Sequence, residues 1–96
     1  MRRVVKLGKK KEPSNSWFVY MLRCADGSLY TGITKDIGRR CLRHNAGTAS
    51  RYTRGRCPVS VVYQETHASQ SLALQREAAI KALSRRQKEA LIRLAA

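Results

Sequence analysis

The sequence predicts a small α/β protein of the α+β type, with three strands and three helices in the order ββαβαα. Three runs of apolar and aromatic residues have the composition of strands, and helix-capping residues precede three stretches with apolar positions at helical spacing. The length of 96 residues suits a single domain. We expect residues 16–96 to form this domain and residues 1–15, which lack a sustained period, to form a flexible basic arm.

The first two strands are expected to form a hairpin. Residues 17–24 (WFVYMLRC) and 29–34 (LYTGIT) are rich in the aromatic and branched side chains that favour strands. The segment Ala25-Asp26-Gly27 between them suits a bulged three-residue turn, in which the glycine supplies the positive φ.

The length of this turn decides where two tyrosines point. With three turn residues, Leu22 opposes Tyr30, and Tyr20 and Tyr30 lie on one face of the sheet, whereas a two-residue turn would place them on opposite faces. The alternative to a functional pair is an ordinary aromatic pair in the core. The hydroxyl groups argue against that alternative, because buried phenols need hydrogen-bond partners.

Local signals place the remaining elements. Capping residues predict three helices: Asp36 before a first helix that ends near Gly47, Ser69 before a second that runs to Leu83, and Ser84 with Gln87 before a last one over about residues 85–94. Residues 47–58 have the composition of a basic loop, and residues 59–65 (VSVVYQE) are expected to form the third strand.

The net charge is the bulk property that bears most on function. The chain has 20 Lys and Arg against 6 Asp and Glu, a formal charge of +14, and residues 1–12, with six basic residues and one acidic, account for only +5 of it. The folded part is therefore basic, which favours nucleic acid as a partner before an anionic membrane surface. No apolar run approaches the ~20 residues of a membrane span. We expect a cytoplasmic protein without a membrane association.

Glu77 is the carboxylate with the least ordinary surroundings. Ala73, Leu74 and Ile80 lie at helical spacings from it and put it at the edge of the buried stripe. A carboxylate there needs a partner or a metal ion, and an ion pair with Lys81, four residues on, is the simpler alternative. The other carboxylates of the folded part are expected in a turn, a cap, a strand end and an exposed helix: Asp26, Asp36, Glu65 and Glu89.

Arg40 and His44 lie one helical turn apart on the first predicted helix and are expected to project together. The alternative is a solvated basic face that they share with Arg39 and Arg43. The sequence contains neither a Ser-His-Asp set nor a glycine-rich phosphate loop, so nucleotide hydrolysis of those types has no support.

The motifs VYM, around Tyr20, and YTG, from Tyr30, resemble the paired motifs of the GIY-YIG nuclease superfamily. Arg40 follows ten residues after Tyr30 and His44 four residues later, as in many members, and a helix that carries Glu77 follows the third strand. The stretches LYTGITKDIGRRCLRHNAG and SLALQREAAIKALSRRQKEALI are similar to the small stand-alone YhbQ-type branch. The resemblance covers nearly the whole predicted domain.

The resemblance implies a fold, an activity and a set of roles. The fold would be a three-stranded antiparallel sheet with flanking helices, and the activity would be endo- or exonucleolytic hydrolysis of phosphodiester bonds with one divalent ion, Mg²⁺ or Mn²⁺. Glu77 would hold the metal, Tyr20 and Tyr30 would position and deprotonate the attacking water, Arg40 would bind the scissile phosphate, and His44 would assist. Positive charge nearby would lower the pKa of a catalytic tyrosine from its usual ~10.

Two departures from the family pattern bear on these roles. The motifs lack the first Gly and the second Ile, and the asparagine that often follows the glutamate has no counterpart, because Asn15 and Asn45 both precede Glu77. The alternative function is therefore a module that binds DNA or RNA with weak or no catalysis, and recruitment by an acidic protein is a third. Five arginines are expected to contact phosphates: Arg39, Arg43, Arg51, Arg54 and Arg56. DNA is favoured over RNA, and a partner protein is expected to supply sequence specificity, since the chain has no room for a target-reading domain.

Overall fold

The computed structural model describes residues 16–95 and confirms a three-stranded antiparallel sheet with flanking helices. The elements, in chain order, are β1 (Trp17–Arg23), β2 (Leu29–Thr34), α1 (Ile37–Asn45), α2 (Arg51–Arg54), β3 (Ser60–His67), α3 (Gln70–Lys81) and α4 (Arg85–Ala95). The strand order is β2-β1-β3, so β1 is central and pairs with both neighbours. The predicted basic arm, residues 1–15, lies outside the described residues. Within residues 16–95, none of the helices has the length and apolar character needed to cross a membrane.

The structure differs from the predicted elements in one segment and at several ends. The predicted loop at residues 47–58 contains α2, which begins where the Ser50 hydroxyl accepts a hydrogen bond from the backbone N–H of Tyr52 at 3.1 Å. The loop prediction missed this helix because four residues are too few to show a helical period. β3 continues beyond its predicted end to His67, and α3 stops short of Leu83.

The hairpin has the predicted register. Gly27 has a φ of 86°, a conformation that side chains with a Cβ rarely adopt. Leu22 pairs with Tyr30 across the two strands, and Tyr20 therefore pairs with Gly32. The side chains of both tyrosines consequently point to the same face of the sheet.

The central strand β1 is buried on both faces of the sheet. Val19 and Met21, on one face, pack with side chains of α3 and α4, whereas Tyr20 and Leu22, on the other face, pack with side chains of α1. Burial on both sides explains why the strand is apolar at nearly every position instead of alternating.

Ion pairs fix α4 to the hairpin. The Glu89 carboxylate accepts hydrogen bonds from the guanidinium of Arg23 at 2.8 and 2.9 Å and from that of Arg85 at 2.9 Å. The hydrogen bonds from Arg23 have the largest effect on the pKa of Glu89, and together with those from Arg85 they lower it to about 2. Glu89 lies on a helix without fully buried residues, as predicted, but its side chain is only 26% exposed. The sequence did not indicate its partner, because Arg23 lies 66 residues away and no local pattern shows the contact.

Candidate active site

Capping interactions position α1 directly after β2. The Asp36 carboxylate accepts a hydrogen bond from the backbone N–H of Arg39 at 3.0 Å, as expected for an N-cap. The Thr34 hydroxyl in turn accepts one from the N–H of Asp36 at 3.1 Å. Because the helix starts at the end of an edge strand, its inner side chains lie on the face of the sheet that carries Tyr20.

His44 is fully buried, so the alternative of a solvated basic face is wrong for this residue. Its Nε2 lies 2.9 Å from the Tyr20 hydroxyl, and its Nδ1 lies 2.8 Å from the Thr53 hydroxyl. The Thr53 hydroxyl donates its proton to the carbonyl of Ser50 at 3.3 Å, so its oxygen is left to accept from Nδ1–H. In that tautomer Nε2 has a free electron pair and accepts the proton of Tyr20. We refer to this arrangement as the Tyr20–His44–Thr53 chain.

Burial keeps both ionisable members of this chain neutral. Burial raises the pKa of Tyr20 well above its ordinary value of 10.0, the charges of Tyr30 and Glu77 add to this effect, and Arg40 lowers the pKa only in part. The expected lowering by positive charge is therefore outweighed by burial at Tyr20. Burial, followed by the charges of arginines on α1, also lowers the pKa of His44 below its ordinary 6.5, which leaves Nε2 able to accept a proton.

Tyr30 packs against both rings of the chain. Its ring centroid lies 6.4 Å from that of Tyr20 and 5.0 Å from that of His44. The ring also stacks on Tyr52, with 6.0 Å between the centroids. Gly32 leaves room for these rings, because a Cβ there would lie 2.7 Å from the Tyr20 hydroxyl oxygen and 3.1 Å from a ring carbon of Tyr30. The glycine of the YTG motif is thus required by close approach of the tyrosines.

Arg40 lines an open cleft beside α1, which we term the arginine cleft. The cleft has a volume of about 270 Å³, and its lining is mostly polar and basic: Trp17, Thr34, Lys35, Asp36, Arg39, Arg40 and Arg43. The charge of Arg40 lowers the pKa of Tyr20, so its guanidinium is within electrostatic range of that hydroxyl. An anionic phosphate in this cleft would therefore lie close to the Tyr20–His44–Thr53 chain.

Glu77 approaches the same centre from α3. Its side chain is 18% exposed and pairs with Lys81 at 3.2 Å, which is the ion pair that the sequence offered as the alternative to a metal. Its charge raises the pKa of Tyr20, so the carboxylate also acts on that hydroxyl. In residues 16–95 no group of three or more His, Cys, Asp or Glu side chains could hold a metal ion. A divalent ion at Glu77 would therefore take its other ligands from water and substrate, which suits Mg²⁺.

The five arginines predicted to bind phosphate are not equivalent. Four of them remain open to a ligand: Arg39 and Arg43 in the arginine cleft, and Arg51 and Arg54 exposed on α2. Arg56 is already engaged, because its Nε donates to Asp26 at 2.9 Å and its Nη1 donates to the carbonyl of Tyr52 at 2.6 Å. Its guanidinium carbon also lies 4.1 Å from the centroid of the Tyr52 ring. The structure therefore gives Arg56 the role of bracing Tyr52.

Sequence reasoning did not identify Thr53 or Tyr52, since both lie in the segment predicted as a loop and no motif links them to His44. Asn45 also has a structural role that the sequence does not indicate. Its side-chain oxygen accepts from the N–H of Val59 at 2.7 Å, and its nitrogen donates to the Val59 carbonyl at 3.1 Å. Asn45 thus holds the end of α1 against the segment before β3 and does not replace the asparagine missing after Glu77.

A second polar cluster fixes α3 on the sheet. The Glu65 carboxylate accepts hydrogen bonds from Arg76 at 2.8 Å, from His67 at 2.7 Å and from Tyr63. Burial would raise the pKa of Glu65, but the hydrogen bonds from Tyr63, Arg76 and His67 together lower it. The prediction of an ordinary strand-end carboxylate therefore missed its function, which is to tie β3 to the helix that carries Glu77.

Known proteins resemble this chain over most of its length. Residues 16–90 match the family model described as the GIY-YIG catalytic domain. A UPF0213 protein of Staphylococcus epidermidis is 51% identical over 75 residues, which cover 78% of this chain and 92% of that protein. A UPF0213 protein of Halobacterium salinarum is 53% identical over 73 residues, which cover 76% of this chain and 95% of that protein.

Solved structures share the fold. The solution NMR structure of a UPF0213 protein from Bacillus halodurans has a TM-score of 0.55 and 44% sequence identity, and the match covers 82% of this chain and 84% of that one. The solution NMR structure of a protein from E. faecalis has a TM-score of 0.57 and 41% identity over the same shares of the two chains.

Proposed function

Because the chain belongs to the GIY-YIG family, among its small stand-alone UPF0213 members, we propose that it is a divalent-metal-dependent nuclease that hydrolyses phosphodiester bonds in DNA with little intrinsic sequence specificity. The family is part of a superfamily of nucleases, so membership supports this class of reaction. The observation that supports the proposed mechanism is the Tyr20–His44–Thr53 chain, which lies within electrostatic range of both Arg40 and Glu77.

The Tyr20–His44–Thr53 chain offers a route for the proton of the attacking water. As the Tyr20 oxygen takes this proton, its own proton passes to Nε2 of His44, and Nδ1–H remains bonded to Thr53. The water oxygen forms its bond to phosphorus while the bond from phosphorus to the leaving oxygen breaks, and solvent protonates that oxygen. The raised pKa of Tyr20 is compatible with this route, because the phenol never has to exist as a stable phenolate.

Charge stabilisation would come from two sides of the same centre. Arg40 and its neighbours in the arginine cleft would bind the scissile phosphate and place a fixed positive charge where negative charge gathers in the transition state. Glu77 would hold the divalent ion, Mg²⁺ or Mn²⁺, which when bound supplies Lewis-acid stabilisation of the phosphate oxygens. Both charges act on the Tyr20 hydroxyl, since Arg40 lowers its pKa and Glu77 raises it.

The second candidate function is a nucleic-acid-binding module with weak or no catalysis, and one observation favours it. Glu77 already has a cationic partner in Lys81 at 3.2 Å, so the carboxylate is neutralised without a metal ion. The arginine cleft would then bind a DNA or RNA backbone that is not cut. With either function, the sequence specificity would come from a partner protein.

One incubation separates the two functions. The purified protein is mixed with labelled single- and double-stranded DNA and RNA in Mg²⁺, Mn²⁺ or EDTA, and both products and complexes are measured. If the protein is a nuclease, DNA products should form with a divalent ion and not in EDTA. Tyr20→Phe, which keeps the ring, should then give no products with a divalent ion. The binding module predicts complexes without products in all conditions. Products that form equally well in EDTA would contradict a metal-dependent mechanism.

A further inference from the structure

A continuous set of side-chain contacts connects the turn of the hairpin to the candidate active site. It runs from Asp26 in the turn to the guanidinium of Arg56, and from there to the ring of Tyr52, which stacks on Tyr30. We propose that Asp26, Arg56 and Tyr52 form a brace, termed the turn brace, that positions the ring of a catalytic tyrosine. That ring belongs to Tyr30, whose hydroxyl would orient the attacking water beside Tyr20. The proposal rests on the nuclease function above.

Tyr30 needs support from outside its own strand. It is a half-buried residue of β2, which is an edge strand, whereas Tyr20 is buried on the central strand and its hydroxyl lies 2.9 Å from Nε2 of His44. The rings of Tyr20 and His44 meet the Tyr30 ring at steep angles of 46° and 62°. Tyr52 instead stacks on it, with 6.0 Å between the centroids and 28° between the planes. Tyr52 therefore covers a face of the Tyr30 ring and limits its rotation.

Tyr52 is held in turn by Arg56. Its side chain is 40% exposed, and α2, which carries it, has only four residues, so the helix itself provides little rigidity. The guanidinium carbon of Arg56 lies 4.1 Å from the ring centroid, over the face opposite Tyr30. A planar guanidinium stacks favourably on an aromatic face. The Tyr52 ring is thus fixed from both sides.

The turn of the hairpin fixes Arg56. Its Nε donates to Asp26 at 2.9 Å, its Nη1 donates to the carbonyl of Tyr52 at 2.6 Å, and its own carbonyl accepts from the N–H of Ala25 at 2.8 Å. The other oxygen of Asp26 accepts from the N–H and the hydroxyl of Ser28, at 3.0 and 2.6 Å. The turn brace therefore begins in the segment that leads directly into β2.

The turn brace is expected to affect the reaction rate far more than the stability of the fold. The side chains of Asp26 and Arg56 are 49% and 39% exposed, and an ion pair between exposed groups contributes little to stability. A displacement of about 1 Å at a reacting group, however, can lower a rate by ~10²-fold. A variant that folds normally but reacts slowly is therefore the signature of this positioning role.

The dependence of the cleavage rate on DNA concentration tests Tyr52. Tyr52→Leu should lower kcat by roughly 10- to 100-fold and change KM by less than about twofold, because the ring acts on the orientation of Tyr30 and not on the affinity for DNA. Tyr52→Phe keeps the ring and should restore kcat. Thermal unfolding of both variants shows that they are folded.

Two further sets of variants test the rest of the turn brace. Asp26→Ala should lower kcat more than Asp26→Asn, since asparagine keeps an oxygen that can accept from Arg56. Arg56→Ala combined with Tyr52→Leu should be no slower than Tyr52→Leu alone, because both changes act on the same ring. Losses that multiply in the double variant would contradict the proposal.

Binding to duplex DNA in EDTA tests the other role that was predicted for Arg56. If its guanidinium only braces Tyr52, Arg56→Ala should leave the salt dependence of binding unchanged. If it contacts a phosphate, the log–log slope should become flatter by ~0.9. A flatter slope together with an unchanged kcat would overturn the proposal.

The outcomes separate this proposal from the nuclease function. If the wild-type protein cleaves DNA and Tyr52→Leu cleaves it equally fast, the turn brace has no positioning role and the nuclease function stands. NMR tests the brace without catalysis, because NOEs between the rings of Tyr30 and His44 should weaken in Tyr52→Leu and persist in Tyr52→Phe. Unchanged NOEs in Tyr52→Leu would overturn the proposal. If the wild-type protein never cleaves but these NOEs weaken as expected, the nuclease function fails and the turn brace still positions Tyr30.

Discussion

Replacing Thr53 with valine tests the Tyr20–His44–Thr53 chain at its far end. Thr53 and His44 are both fully buried, and valine keeps the side-chain volume but removes the oxygen that lies 2.8 Å from Nδ1. A buried N–H that loses its acceptor costs ~1–3 kcal/mol. We therefore expect the free energy of unfolding to fall by ~1–3 kcal/mol, with a decrease in Tm of ~4–8 °C for each kcal/mol in a domain of this size.

The assay combines thermal unfolding with the rate of DNA cleavage, and Thr53→Ser is the matched control. Serine loses a buried methyl group, worth ~0.8 kcal/mol, but it keeps the hydroxyl that sets the tautomer of His44. Cleavage should therefore be close to the wild-type rate in Thr53→Ser. In Thr53→Val it should be slower, by up to the ~10²–10⁴-fold that general base catalysis provides. Equal cleavage by the two variants would refute the role of Thr53, and unchanged stability of the valine variant would refute the buried hydrogen bond.

Gly32→Ala should damage the site without removing a functional group, because the added Cβ would lie 2.7 Å from the Tyr20 hydroxyl oxygen. Thermal unfolding should show that the free energy of unfolding falls by ~1–3 kcal/mol. Wild-type stability would contradict the close approach. Glu89→Gln should reduce the loss of stability in acid. Hydrogen bonds from arginines lower the pKa of Glu89 from 4.5 to about 2. Between those pH values the unfolded chain therefore binds a proton that the folded one does not, and the stability of the wild-type protein falls as pH falls. The same pH dependence of thermal unfolding in both proteins would contradict this. Arg39→Ala and Arg43→Ala should each flatten the log–log salt dependence of duplex binding by ~0.9, measured by anisotropy, and an unchanged slope would remove that residue from the phosphate contacts.

Signals that are local in sequence predicted most of the fold. Asp36 and Ser69 accept the backbone hydrogen bonds expected of N-caps, and Ser84 with Gln87 makes both bonds of a capping box. The odd-length turn at Gly27 set the register, which in turn placed both tyrosines of the candidate site on one face. Each of these features depends on residues only a few positions apart, and this is why the sequence alone could predict them.

The remaining features depend on contacts between distant residues. Helical spacing placed His44 beside Arg40, but the burial of His44 requires Thr53, which lies on a helix too short to show a period. Glu65 pairs with an arginine 11 residues away on another element, and the main partner of Glu89 is 66 residues away. A pattern of apolar positions reports which side chains are buried, but it does not report which polar side chains meet.

The cleavage rate of Glu77→Gln is the most direct test of the proposed nuclease. Glutamine keeps the shape of the side chain and removes the charge that would hold the metal ion. The i, i+4 ion pair with Lys81, whose side chain is 56% exposed, is worth only ~0.2–0.5 kcal/mol. Thermal unfolding should therefore be almost unchanged, which would show that the variant is folded. We expect Glu77→Gln to bind the same DNA as tightly as the wild-type protein, or slightly more tightly, and to produce no cleavage with Mg²⁺ or Mn²⁺. Full cleavage by a folded Glu77→Gln protein would contradict the metal-dependent mechanism.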